Sequence, residues 1–386
     1  MRQSAWRHQR SVVVLLTMTL AGCGNGGRSA VGRSGTKVAE ASRPSLQQEW
    51  AWAPPPPASA GMPAADATGV ALTAGRHTVV LLDDSGAVRW SAERIGVRDV
   101  APLLAPEVVV VAADDGVIAY DRDSGRLRWE AALGERANTP VMAGGAAVVT
   151  TWEGSLIALD QGDGSVRWRT RLGGDALGPA AAAEAVVVAT FDSGEAAGVV
   201  AVDAATGRHR WSTELPPGGV SAPAVVVVGE GDGGGRGGGP EAVTVTVAGD
   251  AAARGLSLDA GAERWRQPVE GAGSPEVAPL ALGGTVLVPD RQGALALLDA
   301  RTGSERWTAS SGEASVRGGP AGPGPGGWFA LPLDDGRLLM AGADREPAVL
   351  EPPDGLVAGV ARGPGGVLLI ASGQGRANAL TASYGW

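Results

Sequence analysis

The stretch AYDRDSGRLRW, from Ala119 to Trp129, holds the pattern that decides the fold. Alternating apolar residues lead into it, which is typical of a β-strand. Asp121 is expected to cap a turn by accepting backbone N–H bonds, and Gly125 supplies the positive φ that a residue with a Cβ resists. The chain then returns from Arg126 to Trp129, so the stretch predicts a β-hairpin.

The same phrase recurs along the chain. It is complete in ALDQGDGSVRW (Ala158–Trp168) and AVDAATGRHRW (Ala201–Trp211), and LLDARTGSERW (Leu297–Trp307) has Leu in place of the first Ala. The copies LLDDSGAVRW, ending at Trp90, and SLDAGAERW, ending at Trp265, are one and two residues shorter between Asp and Trp. Successive tryptophans are 39, 39, 43, 54 and 42 residues apart, which indicates an internal repeat with a period near 40.

Each repeat holds more than its hairpin. Apolar runs such as Val108–Ala112 and Val186–Thr190 precede the hairpins, and short runs such as residues 139–141 supply a fourth strand. Four strands in roughly 40 residues are typical of a β-propeller blade. We therefore predict an all-β propeller over residues 61–386 without helices, and treat the glycine-rich run 229–240 as a disordered loop.

The blade count depends on two degenerate repeats near the C-terminus. Trp328–Met340 and Val367–Leu380 repeat the middle hairpin without the Asp-to-Trp phrase. Added to the six clear repeats, they predict eight blades, with seven as the alternative. Weak terminal repeats are expected where a propeller closes on itself.

The N-terminal segment is typical of an export signal. Residues 1–22 contain three arginines, no acid and an apolar run too short to span a bilayer. The run ends in LAGC, which resembles the lipobox of bacterial lipoproteins, and this resemblance implies that Cys23 is lipidated after the signal is removed. Residues 23–60 are interpreted as a Pro-rich tether. Trp50 and Trp52 either pack on the domain as an added N-terminal strand or are incidental.

The pattern A-x-D-x-x-T/S-G-x-x-x-W resembles the tryptophan-docking repeat of pyrroloquinoline-quinone (PQQ)-type propellers. In that family the tryptophan packs between the first Ala of its own motif and the turn of the neighbouring blade. The resemblance implies structural roles for Trp90, Trp129, Trp168, Trp211, Trp265 and Trp307. Turn caps are expected at Asp121, Asp160, Asp203 and Asp299, with Gly125, Gly164, Gly207 and Gly303.

Composition excludes several classes of function. The chain has 32 Lys+Arg against 41 Asp+Glu, a formal charge of −9, which argues against a nucleic-acid partner. The single cysteine excludes an intramolecular disulfide and a Cys-based zinc site, and three histidines leave little room for a His-based metal site. Alcohol-oxidising PQQ enzymes hold their quinone against a disulfide and beside calcium. The chain has no cysteine in the predicted propeller, so the sequence predicts no catalytic residue, cofactor or metal. Only Thr151–Gly154 departs from the turn pattern, which makes a binding role there a hypothesis.

The combination of lipid anchor, repeat and unit number is similar to the BamB family of Gram-negative barrel-assembly lipoproteins. That resemblance implies a monomeric propeller on the extracytoplasmic side of the cell membrane, serving as a scaffold for an envelope protein. The alternatives are a small-ligand sensor that uses the central funnel and, third, a PQQ-dependent dehydrogenase.

Overall fold

A computed structural model describes residues 45–54, 58, 60–176, 178–183, 185–228, 241–269, 278–289, 294–310, 328–342, 345–351, 357–362, 368–372 and 377–383. The chain divides into two units, Met1–Ala41 and Ser42–Trp386, and all of these residues belong to the second. Their regular structure is β-strand, with no helix among them, as predicted. The predicted signal peptide 1–22, Cys23 and the glycine-rich segment 229–240 lie outside the described residues.

The first strand, β1 (Ser45–Trp52), pairs with the last strand of the chain's described residues. The next twenty-four strands form six consecutive antiparallel sheets of four strands each. Blade 1 contains β2 (Ala64–Asp66), β3 (Gly69–Ala74), β4 (Thr78–Leu82) and β5 (Val88–Glu93). Blade 2 contains β6 (Leu103–Leu104), β7 (Val108–Ala112), β8 (Gly116–Asp121) and β9 (Leu127–Ala132). Blade 3 contains β10 (Val141–Ala143), β11 (Ala146–Thr150), β12 (Ser155–Asp160) and β13 (Val166–Arg171). Blade 4 contains β14 (Ala181–Ala183), β15 (Val186–Asp192), β16 (Ala197–Asp203) and β17 (His209–Leu215). Blade 5 contains β18 (Ala224–Val228), β19 (Glu241–Ala248), β20 (Ala252–Ser257) and β21 (Glu263–Pro268). Blade 6 contains β22 (Leu280–Leu282), β23 (Thr285–Pro289), β24 (Ala294–Asp299) and β25 (Glu305–Ser310).

Two further sheets complete the described strands. A three-stranded sheet contains β26 (Trp328–Pro332), β27 (Leu338–Gly342) and β28 (Arg345–Leu350). The last sheet contains β29 (Val357–Arg362), β30 (Leu368–Ser372) and β31 (Ala377–Ser383), with β1 as its fourth strand. The fold is thus an all-β propeller with seven four-stranded blades among the described residues, and the prediction of eight such blades is not borne out.

The last blade takes its outer strand from the N-terminal end of the domain. Strand β1 runs antiparallel to β31, from Ser45 opposite Ser383 to Trp52 opposite Ala377. Trp50 and Trp52 therefore belong to an added strand, one of the two alternatives predicted for them. This corrects the interpretation of residues 45–52 as part of the tether, because a strand from the other terminus covers the edge that β31 would otherwise expose.

The hydrophobic core lies between successive blades. The second and third strands of a blade are buried along almost their whole length, as in β7 and β8. The fourth strand alternates, and in β9 only Trp129 is buried. The first strands of most neighbouring blades touch, and β29 touches β2, so the last blade adjoins the first. Both faces of an inner strand are consequently covered by neighbouring blades. Side chains that are free to differ from blade to blade therefore lie on the turns and outer strands.

Candidate interaction site

The recurring tryptophans lie at the junctions between blades. Trp129 stands opposite Ala119 of its own blade and donates its indole N–H to the carbonyl of Gln161 in the next blade at 2.8 Å. In that same turn, a Cβ built on Gly164 would approach the indole to 2.6 Å, so only glycine fits. The equivalent contacts join Trp90 to Arg122 and Gly125, Trp168 to Ala204 and Gly207, Trp211 to Leu258 and Gly261, and Trp265 to Ala300 and Gly303.

Two tryptophans extend or vary this pattern. Trp307 stands opposite Leu297, the residue that departs from the motif, and is half-buried where the five tryptophans above are buried. Trp50 behaves like a member of the series: its indole N–H donates to the carbonyl of Asp84 at 2.9 Å, and its ring covers Gly86. Its spacing of 40 residues from Trp90 is the signal that could have identified it.

The predicted turn residues are consumed by local hydrogen bonds. The Asp121 carboxylate accepts from the Ser124 amide at 2.9 Å and from Arg128, while Gly125, at φ 67°, donates its N–H to the Asp121 carbonyl. The same arrangement occurs at Asp160 with Gly164, Asp203 with Gly207, and Asp299 with Gly303. Hydrogen bonds from the Ser124 side chain and amide, and from Arg128, lower the pKa of Asp121 to about 2. These carboxylates are structural anions with their acceptors already occupied.

The copy that ends at Trp265 has a different cap from the one read from the sequence. Gly261 donates its amide to the carbonyl of Ser257, and the Ser257 hydroxyl accepts from the Ala262 amide. Ser257 therefore occupies the position of Asp121, and its separation from Trp265 equals that between Asp121 and Trp129. The apparent deletion of two residues is wrong: it arose from aligning Asp259, since a Ser hydroxyl can cap the same turn.

The turn carboxylates make acid stability a testable property. Hydrogen bonds from Arg210 and Thr206 lower the pKa of Asp203 from 3.8 to about 2. A lowered folded-state pKa stabilises the fold above the unfolded pKa, and the gain is lost as pH falls from about 4 to 2. We expect Asp203→Asn to lower the melting temperature at pH 7, and the difference from wild type to shrink over that pH range in calorimetric scans.

Asp123→Asn is the matched control, because its carboxylate is 90% exposed and, among the residues that the structure describes, contacts Arg89 alone, at 3.2 Å. A melting-temperature difference for Asp203→Asn that is the same at pH 2 and pH 7 would contradict the assigned role.

A non-repeating group of side chains, here named the Trp152 cluster, lies on the turns that join second to third strands and on the loops that enter blades 2 and 3. It consists of Arg76, Arg98, Asp114, Arg136, Trp152 and Glu153. The loop entering blade 3 pairs with the turn of that blade, since the Trp152 amide donates to the carbonyl of Arg136 at 3.0 Å and Ala137 bridges Thr151. The loop entering blade 2 is held in the same way, through Val97 and Ala113. Three blades thus contribute to one surface.

Trp152 is the centre of the cluster. The guanidinium carbon of Arg136 lies 4.7 Å from the centroid of its ring, and that of Arg98 lies 5.2 Å away. Its indole N–H donates to Oδ1 of Asn138 at 2.8 Å, so the ring is fixed in place. Both distances are within the range of a cation–π interaction.

The acids of the cluster are already paired. Nη2 of Arg76 lies 2.6 and 2.5 Å from the two carboxylate oxygens of Asp114. Glu153 accepts from the side chain of Arg136 at 3.0 Å and from its amide at 2.9 Å. Partial burial raises the pKa of Glu153, but these bonds outweigh it and lower the pKa overall. Two ion pairs therefore flank the third arginine, Arg98.

Arg98 is the cation without an acceptor. Its Nε is buried and unpartnered, and no hydrogen bond or ion pair joins its guanidinium to another residue in the described part of the chain. Burial lowers the pKa of this guanidinium, opposed by Asp114 and reinforced by the charges of Arg136 and Arg76. The cluster thus holds one positive charge more than its carboxylates balance.

Two features near the cluster were missed by sequence reasoning. Ile95 is 80% exposed in the loop that crosses from blade 1 to blade 2, beside the turns that carry Arg76 and Asp114. Glu135, in contrast, is buried; it accepts from Thr151 at 2.6 Å and pairs with Arg169 and Arg171. Glu135 thus holds the turn in place through its bond with Thr151. Only a comparison of the loop residues of each repeat would have identified it.

A sequence profile of the family described as "Outer membrane protein assembly factor BamB" matches residues 28–138, 113–234 and 248–358. The chain belongs to this family. A search of curated protein sequences gives no match.

Solved structures with the same fold include BamB and dehydrogenases. BamB from Moraxella catarrhalis is 16% identical, with a TM-score of 0.67 over 87% of this chain and 98% of that one. A europium-containing methanol dehydrogenase is 14% identical, with a TM-score of 0.64 over 84% of each chain. Quinohemoprotein alcohol dehydrogenase from Comamonas testosteroni is 13% identical, with a TM-score of 0.64 over 87% of this chain and 76% of that one. At such identities the likeness shows the fold alone.

The described side chains do not fit a quinone centre of the dehydrogenase kind. No group of three or more His, Cys, Asp or Glu among them could hold a metal ion. The single cysteine of the chain is Cys23, so a disulfide beneath a quinone is not available. Across the residues that the structure covers, no helix is long and apolar enough to cross a membrane.

Proposed function

We propose that the protein is a lipid-anchored scaffold of the cell envelope, and that its propeller binds a protein partner through the face that carries the Trp152 cluster. The observation that carries this proposal is the difference between the repeated side chains, which hold the blades and turns, and the non-repeating ones, which do not. The repeated tryptophans, aspartates and glycines are engaged between or within blades. Trp152 and Ile95 are non-repeating and lie on the turn face, where aromatic and exposed apolar residues favour protein binding. Membership of the BamB family supports the same function.

The proposal includes the organisation of the chain. Residues 1–22 act as a signal peptide, Cys23 carries the lipid on the extracytoplasmic side of the membrane, and the tether precedes strand β1. The recurring indoles act as tryptophan docks that hold the blades together. The propeller is monomeric and uses neither cofactor nor metal.

The anchor predicts a clear biochemical phenotype. Replacement of Cys23 by Ala should release the protein from the membrane fraction and abolish labelling by an alkyne-tagged palmitate, since the thiol carries the lipid. Fractionation of native cells, followed by immunoblotting, measures the distribution. Ser29→Ala in the same segment is the control and should remain membrane-bound and labelled. Membrane retention and full labelling of the Cys23→Ala protein would rule out this anchor.

The binding face predicts where a partner can be crosslinked. We expect a photo-crosslinking amino acid at Ile95 to capture one envelope protein reproducibly in cells, as identified by mass spectrometry. The same residue at Leu127 should not, although Leu127 is also apolar and 56% exposed, because it lies at the opposite end of blade 2 beside the turn of Asp121. Equal capture at the two positions, or none at Ile95 with folded protein, would refute a partner on this face.

A further inference from the structure

Arg98 occupies an unusual electrostatic position within the Trp152 cluster. The two carboxylates of the cluster are engaged elsewhere, Asp114 by Arg76 and Glu153 by Arg136. The guanidinium of Arg98 packs on the Trp152 ring, and its Nε–H is buried without an acceptor. A partly desolvated guanidinium that lacks an acceptor is costly, and an incoming carboxylate would supply charge-assisted hydrogen bonds to its terminal nitrogens.

We propose that Arg98 and Trp152 form a recognition site for the carboxylate of an acidic side chain, Asp or Glu, in an extended segment of the partner protein. This inference rests on the proposed function and adds to it the chemistry of the partner. Charge complementarity carries the assignment, because the cluster holds three arginines against two carboxylates in a chain whose formal charge is −9. An acidic segment is repelled by most of such a protein and attracted at this place.

The surroundings of Arg98 favour a peptide over a free anion. Ile95 projects from the same loop with 80% of its surface exposed, which offers an apolar contact beside the charge. Trp152 is half-buried and its indole is held by Asn138, so its exposed part offers a rigid surface against which a side chain can pack. A segment that places an acid against Arg98 and an apolar residue against Ile95 would use both features.

The Trp152 signal of the full-length protein tests the proposal directly. The protein is labelled with 5-fluorotryptophan in detergent, and its ¹⁹F resonance for Trp152 is assigned with Trp152→Phe. A capped peptide of Leu followed by four Glu should shift that resonance saturably at 150 mM salt. The peptide with four Gln should bind at least about tenfold more weakly, because it lacks the charge-assisted bond.

Matched variants separate the site from general electrostatics. Arg98→Gln should weaken binding of the Glu peptide by about tenfold or more, since it removes the charge that the carboxylate pairs with. Arg126→Gln removes the same charge from an exposed turn at the other end of blade 2 and should leave binding unchanged. Arg98→Lys keeps the charge and should retain part of the affinity. Thermal unfolding of each variant checks its fold, and Arg98→Lys keeps the test decisive if Arg98→Gln is destabilised.

Three results would overturn the inference. They are an unmoved Trp152 resonance with the Glu peptide, equal binding by Arg98→Gln, and an equal shift from inorganic phosphate at the same concentration, which would mean a free-anion site. Failure here with successful crosslinking at Ile95 would leave the scaffold in place and remove only its acidic partner. Failure of the crosslinking alone would remove the proposed function while the carboxylate site stands.

Discussion

Replacing Trp168 with alanine should lower the free energy of unfolding by about 3–5 kcal/mol, the range for truncating a buried tryptophan. The side chain is 8% exposed and packs in a core formed by blades 3 and 4. Its indole N–H donates to the carbonyl of Ala204 at 3.0 Å, and its ring covers Gly207. The substitution therefore removes a hydrogen bond, leaves a carbonyl unpaired and opens a cavity between two blades. Urea unfolding followed by circular dichroism measures the change.

Trp152→Ala is the matched control for the same chemical change. Trp152 is half-buried, and its contacts are the two guanidiniums and the buried Asn138, so we expect a loss of only about 1–2 kcal/mol. A further variant, Trp168→Phe, keeps much of the ring but loses the bond to Ala204, and should fall between wild type and Trp168→Ala. Equal losses for Trp168→Ala and Trp152→Ala would refute the structural role of the junction.

The facing glycine gives an independent measurement of the same contact. Gly207 has φ 67°, and a Cβ there would lie 2.6 Å from the Trp168 ring. Gly207→Ala alone should be strongly destabilising, from backbone strain and from the clash. In the Trp168→Ala background the clash disappears and only the strain remains. The double-mutant cycle should therefore show the two changes to be less than additive.

The repeating part of the fold could be predicted from sequence because each element is local. The hairpin from Ala119 to Trp129 contains its own strand, cap, positive-φ glycine and return strand, and the structure places Asp121 and Gly125 in that turn. The same rule failed at Ser257, where a different residue type makes the cap. A pattern of residue types thus identifies most turns, but the hydrogen-bonding capacity of the residue decides which one caps.

The features that sequence analysis missed or left open depend on distant parts of the chain. The Trp152 cluster draws on loops and turns of three blades, so the charges around Arg98 meet only after the blades stack. Thr151–Gly154 was recognised as a departure from the pattern, but nothing local shows that two arginines cover Trp152. Likewise, strand β1 has no turn or partner near it in sequence, and its pairing with β31 is decided by the closure of the propeller.

The N-terminal strand leads to the second large effect: a chain that starts at Pro54 should be less stable than one that starts at Ser42 by on the order of 3–5 kcal/mol. That estimate combines the loss of a packed tryptophan and of ladder hydrogen bonds, less the chain entropy regained. Without β1 the last blade ends at β31, whose outer edge is left unpaired. In the turn of blade 1, Gly86 also loses its contact with the indole of Trp50, and the carbonyl of Asp84 loses the hydrogen bond that this indole donates. Thermal and urea unfolding of the two chains measure the difference.

Closure by a separate strand can be tested by adding that strand back. A synthetic peptide of residues 45–52, SLQQEWAW, should raise the melting temperature of the chain that starts at Pro54 in a saturable manner, because a ligand of the folded state stabilises it by mass action. The same peptide with Ala in place of Trp50 should do so much less, since it keeps the backbone pairing but not the contact with blade 1. If both peptides restore stability equally, the ladder alone closes the propeller; if neither does, β1 must be joined to the chain to act. Rescue by the first peptide alone would show that a tryptophan contact between blades joins the last blade to the first, as the repeated contacts do elsewhere.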